Sequence, residues 1–207
     1  MDKFELIESL RKKIHAPLPA HEAQYKMAAY YKNRFSEDEI VLRNPKIGAV
    51  MILLIWENKE WKITLMLRPP YDGTHGGQIS FFGGKQEKGD LSLLETAKRE
   101  THEEAGIHLN SISEIGALSP LYIEASNYLV QPFLFFAHEQ INFVPDEKEV
   151  EEIFFIPLQS FYLNKKETEI NLKNGLSFKA PAYIHENKII WGATAMILSE
   201  LEAILVN

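Results

Sequence analysis

Between Ser92 and Gly106 the sequence specifies both ends of one helix and constrains what lies between them. Ser92 and Glu95 have the S-x-x-E spacing of a capping box, and Gly106 follows Ala105 as a carboxyl-terminal stop. At roughly 100° per residue, Glu100, Glu103 and Glu104 share one face, while Leu94, Ala97, Thr101 and Ala105 form the adjacent stripe that anchors the helix. Lys98 and His102 point away. Like charges at this spacing cost roughly 0.2–0.5 kcal/mol per pair, so the arrangement is unfavourable unless a cation offsets it. Clustered carboxylate oxygens suit Mg²⁺ or Mn²⁺. Taken alone, a run such as RETHEE is more often an ordinary solvated acidic face, and its surroundings argue otherwise.

Those surroundings begin upstream. Residues 49–56 and 61–68 are apolar runs separated by the polar turn 57–60, and they read as two largely buried strands of a hairpin. A short strand over 78–82 runs into a turn at Gly83 and Gly84, and a polar loop then leads to the capped helix. Residues 3–14 have helical apolar spacing, ended by Pro17 and Pro19, and a second helix is expected over 21–34. Downstream, 115–118, 128–137 and 153–158 read as strands and 192–205 as a closing amphipathic helix. No internal repeat, low-complexity tract or Pro/Gly/Ser linker divides the chain, so residues 1–207 are expected to be one domain, with 1–48 as a helical extension packed on it.

Composition narrows the partners. A formal net charge of −7 gives no general positive field to hold a nucleic acid backbone. The absence of cysteine excludes disulfide and thiolate chemistry. The opening residues MDKFELIESLRKKIH lack the uninterrupted apolar run of a secretory signal. The apolar tail 191–206 is interrupted by Ser199, Glu200 and Glu202 and is too short to span a bilayer. The expectation is a soluble cytoplasmic protein without nucleic acid or membrane partners, and a homodimer is left open.

Hydrolysing a phosphoanhydride requires metal ions that neutralise phosphate oxygens and activate a water, with a carboxylate to orient it. Glycines let backbone amides approach phosphate oxygens. The segment 83–107, with its glycine pair, its Arg99–Glu100 pair and its further glutamates, contains each of these parts.

GGKQEKGDLSLLETAKRETHEEAGI, residues 83–107, resembles the Nudix box, G-x5-E-x7-R-E-U-x-E-E-x-G-U with U aliphatic. Gly84, Arg99, Glu100, Glu103, Glu104, Gly106 and Ile107 match. Asp90 replaces the first Glu, eight residues rather than seven separate it from Arg99, and Thr101 takes an aliphatic position. The Asp and the extra residue resemble the coenzyme A diphosphatase branch. LMLRPPYDGTHGGQISFFGG, residues 65–84, is similar to that branch's second signature through Arg68, His75, Gly77, Gln78, Ser80, Phe81, Gly83 and Gly84. It departs at Gly73, where a second Arg is expected, at Phe82 in place of Pro, and at Pro69 in place of Ser or Ala. Weaker likeness continues through 150–158 and 189–198.

The resemblance implies an α/β/α sandwich with a mixed sheet, an α/β (α+β) fold with an added amino-terminal helical segment. It implies Glu100 and Glu104 as main ligands for Mg²⁺ or Mn²⁺, Glu103 as a further ligand or base, and Arg99 as the residue orienting Glu100. Arg68, His75, Gln78, Gly83 and Gly84 are the candidate substrate contacts, with His75 equally placed to cap the turn through Gly76 and Gly77. The expected substrate is a small nucleotide: coenzyme A or a coenzyme A ester first, then ADP-ribose or a dinucleotide. A noncatalytic nucleotide-sensing module stands last, since the glutamate triad is intact. From the acidic run 146–152, Glu147 or Glu149 is a candidate late catalytic glutamate, although such runs are commonly solvated loops. Trp191 and the aromatics of 133–136 are expected in the core.

Overall fold

The computed structural model describes residues 3–29, 35–70, 76–172 and 175–206. Its main sheet is built on β1 (Lys46–Glu57) and β2 (Glu60–Leu67), a hairpin whose turn residues Asn58 and Lys59 have φ of 53° and 65°. Positive φ at both central positions is the type I′ geometry that matches the twist of paired strands. The remaining strands of this sheet are β3 (Ile79–Ser80), β4 (Phe82–Lys85), β5 (Ile112–Ala117), β6 (Leu121–Ile123), β7 (Tyr128–Ala137) and β8 (Glu152–Pro157). β1 runs parallel to β7 and antiparallel to β2 and β4, so the sheet is mixed.

The pairing pattern opens the site. Along one edge of β1, residues 53–57 pair with β2 and residues 48–51 pair with β4. β7 divides in the same way, pairing with β6 near its start and with β5 further on. Both central strands therefore change partners along their length, and the strands that take over at the early end carry residues of the groove described below.

Alternation along β1 places Ala49, Met51, Leu53 and Ile55 on one face, and Ile52 and Leu54 on the other. Each face needs a cover. Helices α1 (Lys3–Ile14), α2 (Ala20–Gln24) and α3 (Glu37–Leu42) precede the sheet, α4 (Leu93–Ala105) follows β4, and α5 (Gly192–Val206) closes the chain. Ala97 and Ala105 of α4 pack with the Met51 face, while Leu6, Ile7 and Leu10 of α1 and Leu198 and Leu201 of α5 pack with the Leu54 face. Fully burying a Leu or Ile contributes about 1.5–3 kcal/mol, enough to hold α1 on the sheet. The α/β/α layering is the expected one.

Several elements differ from the sequence reading. The helix expected over 21–34 stops early: α2 passes into the 3₁₀ turn Tyr25–Met27, and Ala28 is extended with ψ of 129°. Residues 30–34 lie outside the described residues. Gly83 and Gly84 are strand rather than turn, paired with Val50 and Ala49. The strand expected over 78–82 breaks at Phe81. A second sheet of β9 (Lys165–Asn171), β10 (Ser177–His185) and β11 (Lys188–Ile190) gave no clear signal, because a stretch such as KKETEIN is nearly all polar. Among the described residues no helix is long and apolar enough to cross a membrane.

Glu200, which breaks up the apolar tail in the sequence, is fully buried. Its oxygens accept from Gln24 Nε2 at 2.9 Å and from the backbone N–H groups of Ala20 and Ser119 at 3.2 Å. These three donors tie the α1–α2 segment and the strand connection to α5 through buried polar bonds.

Candidate active site

Ser92 accepts from Glu95 N at 3.2 Å and starts α4, while the Glu95 carboxylate turns to Lys98 at 3.1 Å instead of returning to the cap. Gly106 ends the helix in the left-handed region with φ of 66°, against Val144, where an added Cβ would lie 2.6 Å from a backbone oxygen. The buried stripe of Thr96, Ala97, Thr101 and Ala105 lays α4 against the sheet. Burial across the acidic face is graded: the side chains of Glu104, Glu100 and Glu103 are 1%, 15% and 55% exposed.

Glu104 points inward and is gripped from two sides. Arg68, just beyond β2, donates from Nη2 to Glu104 Oε1 at 2.9 Å and to Gly83 O at 3.1 Å, and from Nε to Ser80 Oγ at 3.2 Å. The Gly83 N–H donates to Glu104 Oε2 at 2.7 Å. Burial nevertheless pushes the Glu104 carboxyl up to about 8, against the pull of Arg68 and the Gly83 amide. Glu100 lies directly over Gly84, where a Cβ would fall 2.6 Å from its carboxylate, so only glycine leaves room for it. Its carboxyl is also pushed upward, first by burial and then by the charges of Glu103 and Glu149, with Arg99 opposing.

Arg99 sits at the centre of the opposite network. Its Nε and Nη2 donate to the two oxygens of Asp90 at 2.9 and 3.0 Å, its Nη1 meets Glu103 at 2.9 Å and Glu100 at 3.0 Å, and Nη2 also reaches Lys85 O at 3.2 Å. Asp90 further accepts from Glu87 N and Thr96 Oγ1, each at 2.9 Å. The Arg99 hydrogen bonds, then the Glu87 amide, hold Asp90 well below the usual carboxylate range. A bidentate charged pair of this kind contributes about 2 kcal/mol. Asp90→Ala is therefore expected to lower the melting temperature by about 4–8 °C, at roughly 2–4 °C per kcal/mol for a chain of this size. A shift under 2 °C in a thermal melt would show that the pair contributes little.

The two networks meet in a groove of about 1220 Å³. Arg68, Gln78, Gly83, Gly84, Arg99, Glu100, Glu103 and Glu104 line it. Tyr122, Glu124, Ser126, Tyr128, Phe178, Trp191 and the start of α5 also line it. His75 and Gly73 lie outside the described residues. Of the two late glutamates, Glu149 lines the groove and Glu147 does not. The loop carrying it is fixed by Asp146 N to Glu104 O at 3.0 Å and Glu151 N to Leu67 O at 2.9 Å. Trp191 is a correction: it is half-buried on the groove wall, its ring edge-on to Phe178 at 5.6 Å, rather than in the core. The aromatics Phe133, Phe135 and Phe136 are buried as expected. Lys85 and Glu87, which the sequence reading did not single out, also line the groove, because β4 extends to Lys85 where a loop was expected.

Among the described residues no three acidic or imidazole side chains are already gathered around one metal position. The reason is visible in the bonds above: Glu104 is engaged by Arg68 and Gly83, and Glu100 and Glu103 by Arg99. The donor set is nonetheless the hard all-oxygen kind that suits Mg²⁺ or Mn²⁺, and two of its carboxylates carry charge that burial disfavours and a cation would relieve.

A mixed sheet lies between helical layers, and a helix bearing Glu100, Glu103 and Glu104 packs directly on the Gly83–Gly84 strand beside the groove, an all-oxygen arrangement of the kind found in metal-dependent hydrolases. The NUDIX domain family model matches residues 45–175. Uncharacterized Nudix hydrolases named NudL from Yersinia pestis (strain Pestoides F) and Yersinia pseudotuberculosis (serotype O:1b, strain IP 31758) are each 32% identical over 155 residues, covering 74% of this chain and 77% of the relative. The crystal structure of a Nudix hydrolase from M. smegmatis, RenU, shares the fold with a TM-score of 0.55 at 14% identity, over 87% of this chain and 93% of that one. The chain belongs to the Nudix hydrolase family. Members of that family hydrolyse small-molecule substrates linked to a nucleoside diphosphate and generally use divalent metals such as Mg²⁺ or Mn²⁺.

Proposed function

We propose that this Nudix hydrolase cleaves the phosphoanhydride of coenzyme A or a coenzyme A ester, releasing 3′,5′-ADP and (acyl-)4′-phosphopantetheine. The observation that carries this reading is Asp90, whose spacing from Arg99 resembles that of the branch and which Arg99 grips through both oxygens, while the groove of about 1220 Å³, against the roughly 300–1,000 Å³ common for small-ligand sites, supplies the room. Such room fits a diphosphate with a sizeable group on each side rather than a lone nucleotide. The Asp90 spacing and the signature through Arg68, Gln78, Gly83 and Gly84 point to the same branch.

In this reading Glu100 and Glu104 are the main metal ligands, Glu103 is a further ligand or base, and Arg99 orients Glu100. Glu104 takes its role by releasing Arg68 or the Gly83 amide, and the freed donor is then available on the groove lining, where a phosphate oxygen is a natural acceptor. The metal would neutralise phosphate oxygens and lower the pKa of the attacking water. Glu149, on the groove wall, is the better placed of the two late glutamates to take a proton from that water. Residues 1–48 complete one functional unit with the rest, a reading supported by the burial of α1 and the Gln24–Glu200 bond.

Gly73, standing where a second Arg is expected, favours ADP-ribose or a dinucleotide as the second reading. A panel of coenzyme A, acetyl coenzyme A, ADP-ribose and diadenosine polyphosphates, each with Mg²⁺ and with Mn²⁺ and read by product identification, separates the two. The expected leading products are 3′,5′-ADP and 4′-phosphopantetheine. Faster release of AMP and ribose 5-phosphate from ADP-ribose would transfer the assignment to the second reading.

A further inference from the structure

Three cations line the groove, and two of them are already engaged. Arg68 bonds Glu104, and Arg99 bonds Asp90, Glu100 and Glu103. The third is Lys85, whose ammonium meets no carboxylate among the described residues, although its backbone oxygen holds Arg99 Nη2 at 3.2 Å. The strand decides where that ammonium points. Gly84 pairs with Ala49 and faces α4, since a Cβ there would meet Glu100. Successive strand residues face opposite sides, so Lys85 leaves β4 on the other face, away from the glutamates. There it stands across from Gly48, where a Cβ would lie 3.6 Å from Tyr128 Cδ1. The groove reaches both sides of β4, with Glu100 on one and Val50 and Tyr128 on the other.

A second lysine shares that face. Lys46 stands two residues before Gly48 on β1, so it points the same way and lies diagonal to Lys85, with Cα atoms about 7–8 Å apart. Its ammonium lies over the ring of Tyr128, 5.4 Å from the centre, at the edge of the groove that Tyr128 lines. It too meets no carboxylate among the described residues. Like charges across neighbouring strands are unfavourable, so an anion offsets this pair as a cation offsets the glutamates of α4. An ammonium only donates, and two of them suit a phosphate monoester, which is largely dianionic at neutral pH, better than a sugar hydroxyl or a neutral ring.

We propose that Lys85, with Lys46 beside it, holds a phosphate of the substrate other than the diphosphate that is cleaved: the monoester on the 3′ carbon of the ribose in coenzyme A. The proposal rests on the coenzyme A reading and deepens it. Gly84 and Lys85 are consecutive, their Cα atoms about 3.8 Å apart, so the glutamate face and the lysine face of β4 lie back to back. One ribose that carries a diphosphate at its 5′ carbon and a phosphate at its 3′ carbon presents its two anionic groups to the two faces. ADP-ribose, a dinucleotide and dephospho-coenzyme A all lack the 3′-phosphate, so the lysine pair selects coenzyme A in a way that contacts to the diphosphate do not. It also brings to the groove the positive charge that is missing at Gly73.

Binding of nucleotides to the full chain, measured by calorimetry, tests this without turnover. Adenosine 3′,5′-bisphosphate is expected to bind at least about fivefold more tightly than AMP, which lacks only the 3′-phosphate. In Lys85→Gln, with its fold confirmed by circular dichroism, that ratio is expected to fall below about twofold, and Lys46→Gln is expected to lower it by at least about a factor of two. Lys88→Gln is the control for a general loss of positive charge, because Lys88 is exposed and does not line the groove, and it should leave the ratio in place. A smaller preference in the wild-type protein, a preference that survives in Lys85→Gln or is unmoved by Lys46→Gln, the same loss in Lys88→Gln, or no bisphosphate binding at millimolar concentration each overturns the proposal. Equal weakening of both nucleotides in Lys85→Gln overturns it as well, since the ammonium then meets the 5′-phosphate. Failure of the hydrolytic reading shows separately, as an intact bisphosphate preference in a protein that turns over neither coenzyme A nor dephospho-coenzyme A.

Discussion

Glu100→Gln is expected to lower kcat for diphosphate hydrolysis by roughly 10²–10³-fold at saturating metal, while the metal-free protein melts within about 3 °C of the wild type. The amide keeps the shape that fits over Gly84, so the groove wall does not collapse. What it loses is the charge. That charge is already disfavoured by burial and by Glu103 and Glu149, and only partly compensated by Arg99. Removing it relieves repulsion worth roughly 0.2–0.5 kcal/mol per like-charged pair and forfeits one contact to Arg99 at 3.0 Å, so stability changes little in either direction. The comparison of kcat with melting temperature therefore separates a metal ligand from a structural carboxylate. Near wild-type turnover would remove Glu100 from the metal site, and a fall in melting temperature as large as the loss of activity requires would recast it as a structural group.

Much of this site was legible because it is local. Ser92, the glutamate spacing and Gly106 lie within one helix, whose geometry converts sequence separation directly into position. The β1–β2 hairpin was legible for the same reason, since its two apolar runs are separated by one short polar turn. What the sequence did not disclose depends on distance along the chain. The Arg68–Glu104 pair joins residues 36 apart, and the Gln24–Glu200 bond residues 176 apart, and neither partner carries a local mark of the other. Asp90 could be flagged only as an unusual residue in a familiar pattern, whereas the structure gives it four polar contacts from three residues. Trp191 was misassigned because its neighbours in sequence are apolar, and apolar neighbours do not distinguish a core from the wall of a groove.

Gly83 and Gly84 belong to β4 rather than to a turn, and that position carries the largest expected stability effect. As part of a turn, Gly83 would tolerate alanine at moderate cost. In β4 it has φ of 144°, and an added Cβ would lie 2.2 Å from Ala49 O and 2.6 Å from Val50 Cα on the neighbouring strand. Those atoms are backbone and cannot swing aside, so β4 must separate from β1. Separation also breaks the Gly83 amide bond to Glu104 and the Arg68 bond to Gly83 O. A strained backbone conformation costs about 1–3 kcal/mol, an overpacked contact about 1–3 and a lost charged hydrogen bond about 1.5–3, and these overlap rather than add. We expect Gly83→Ala to destabilise by about 4 kcal/mol or more, lowering the melting temperature by about 10–15 °C. Gly89→Ala is the control, because nothing lies within 4 Å of its added Cβ and its φ is not in the glycine-favouring region. It should melt within about 2 °C of the wild type. If Gly83→Ala melts as Gly89→Ala does, β4 is not held against β1 at this point, and the inward grip on Glu104 that depends on that contact is lost with it.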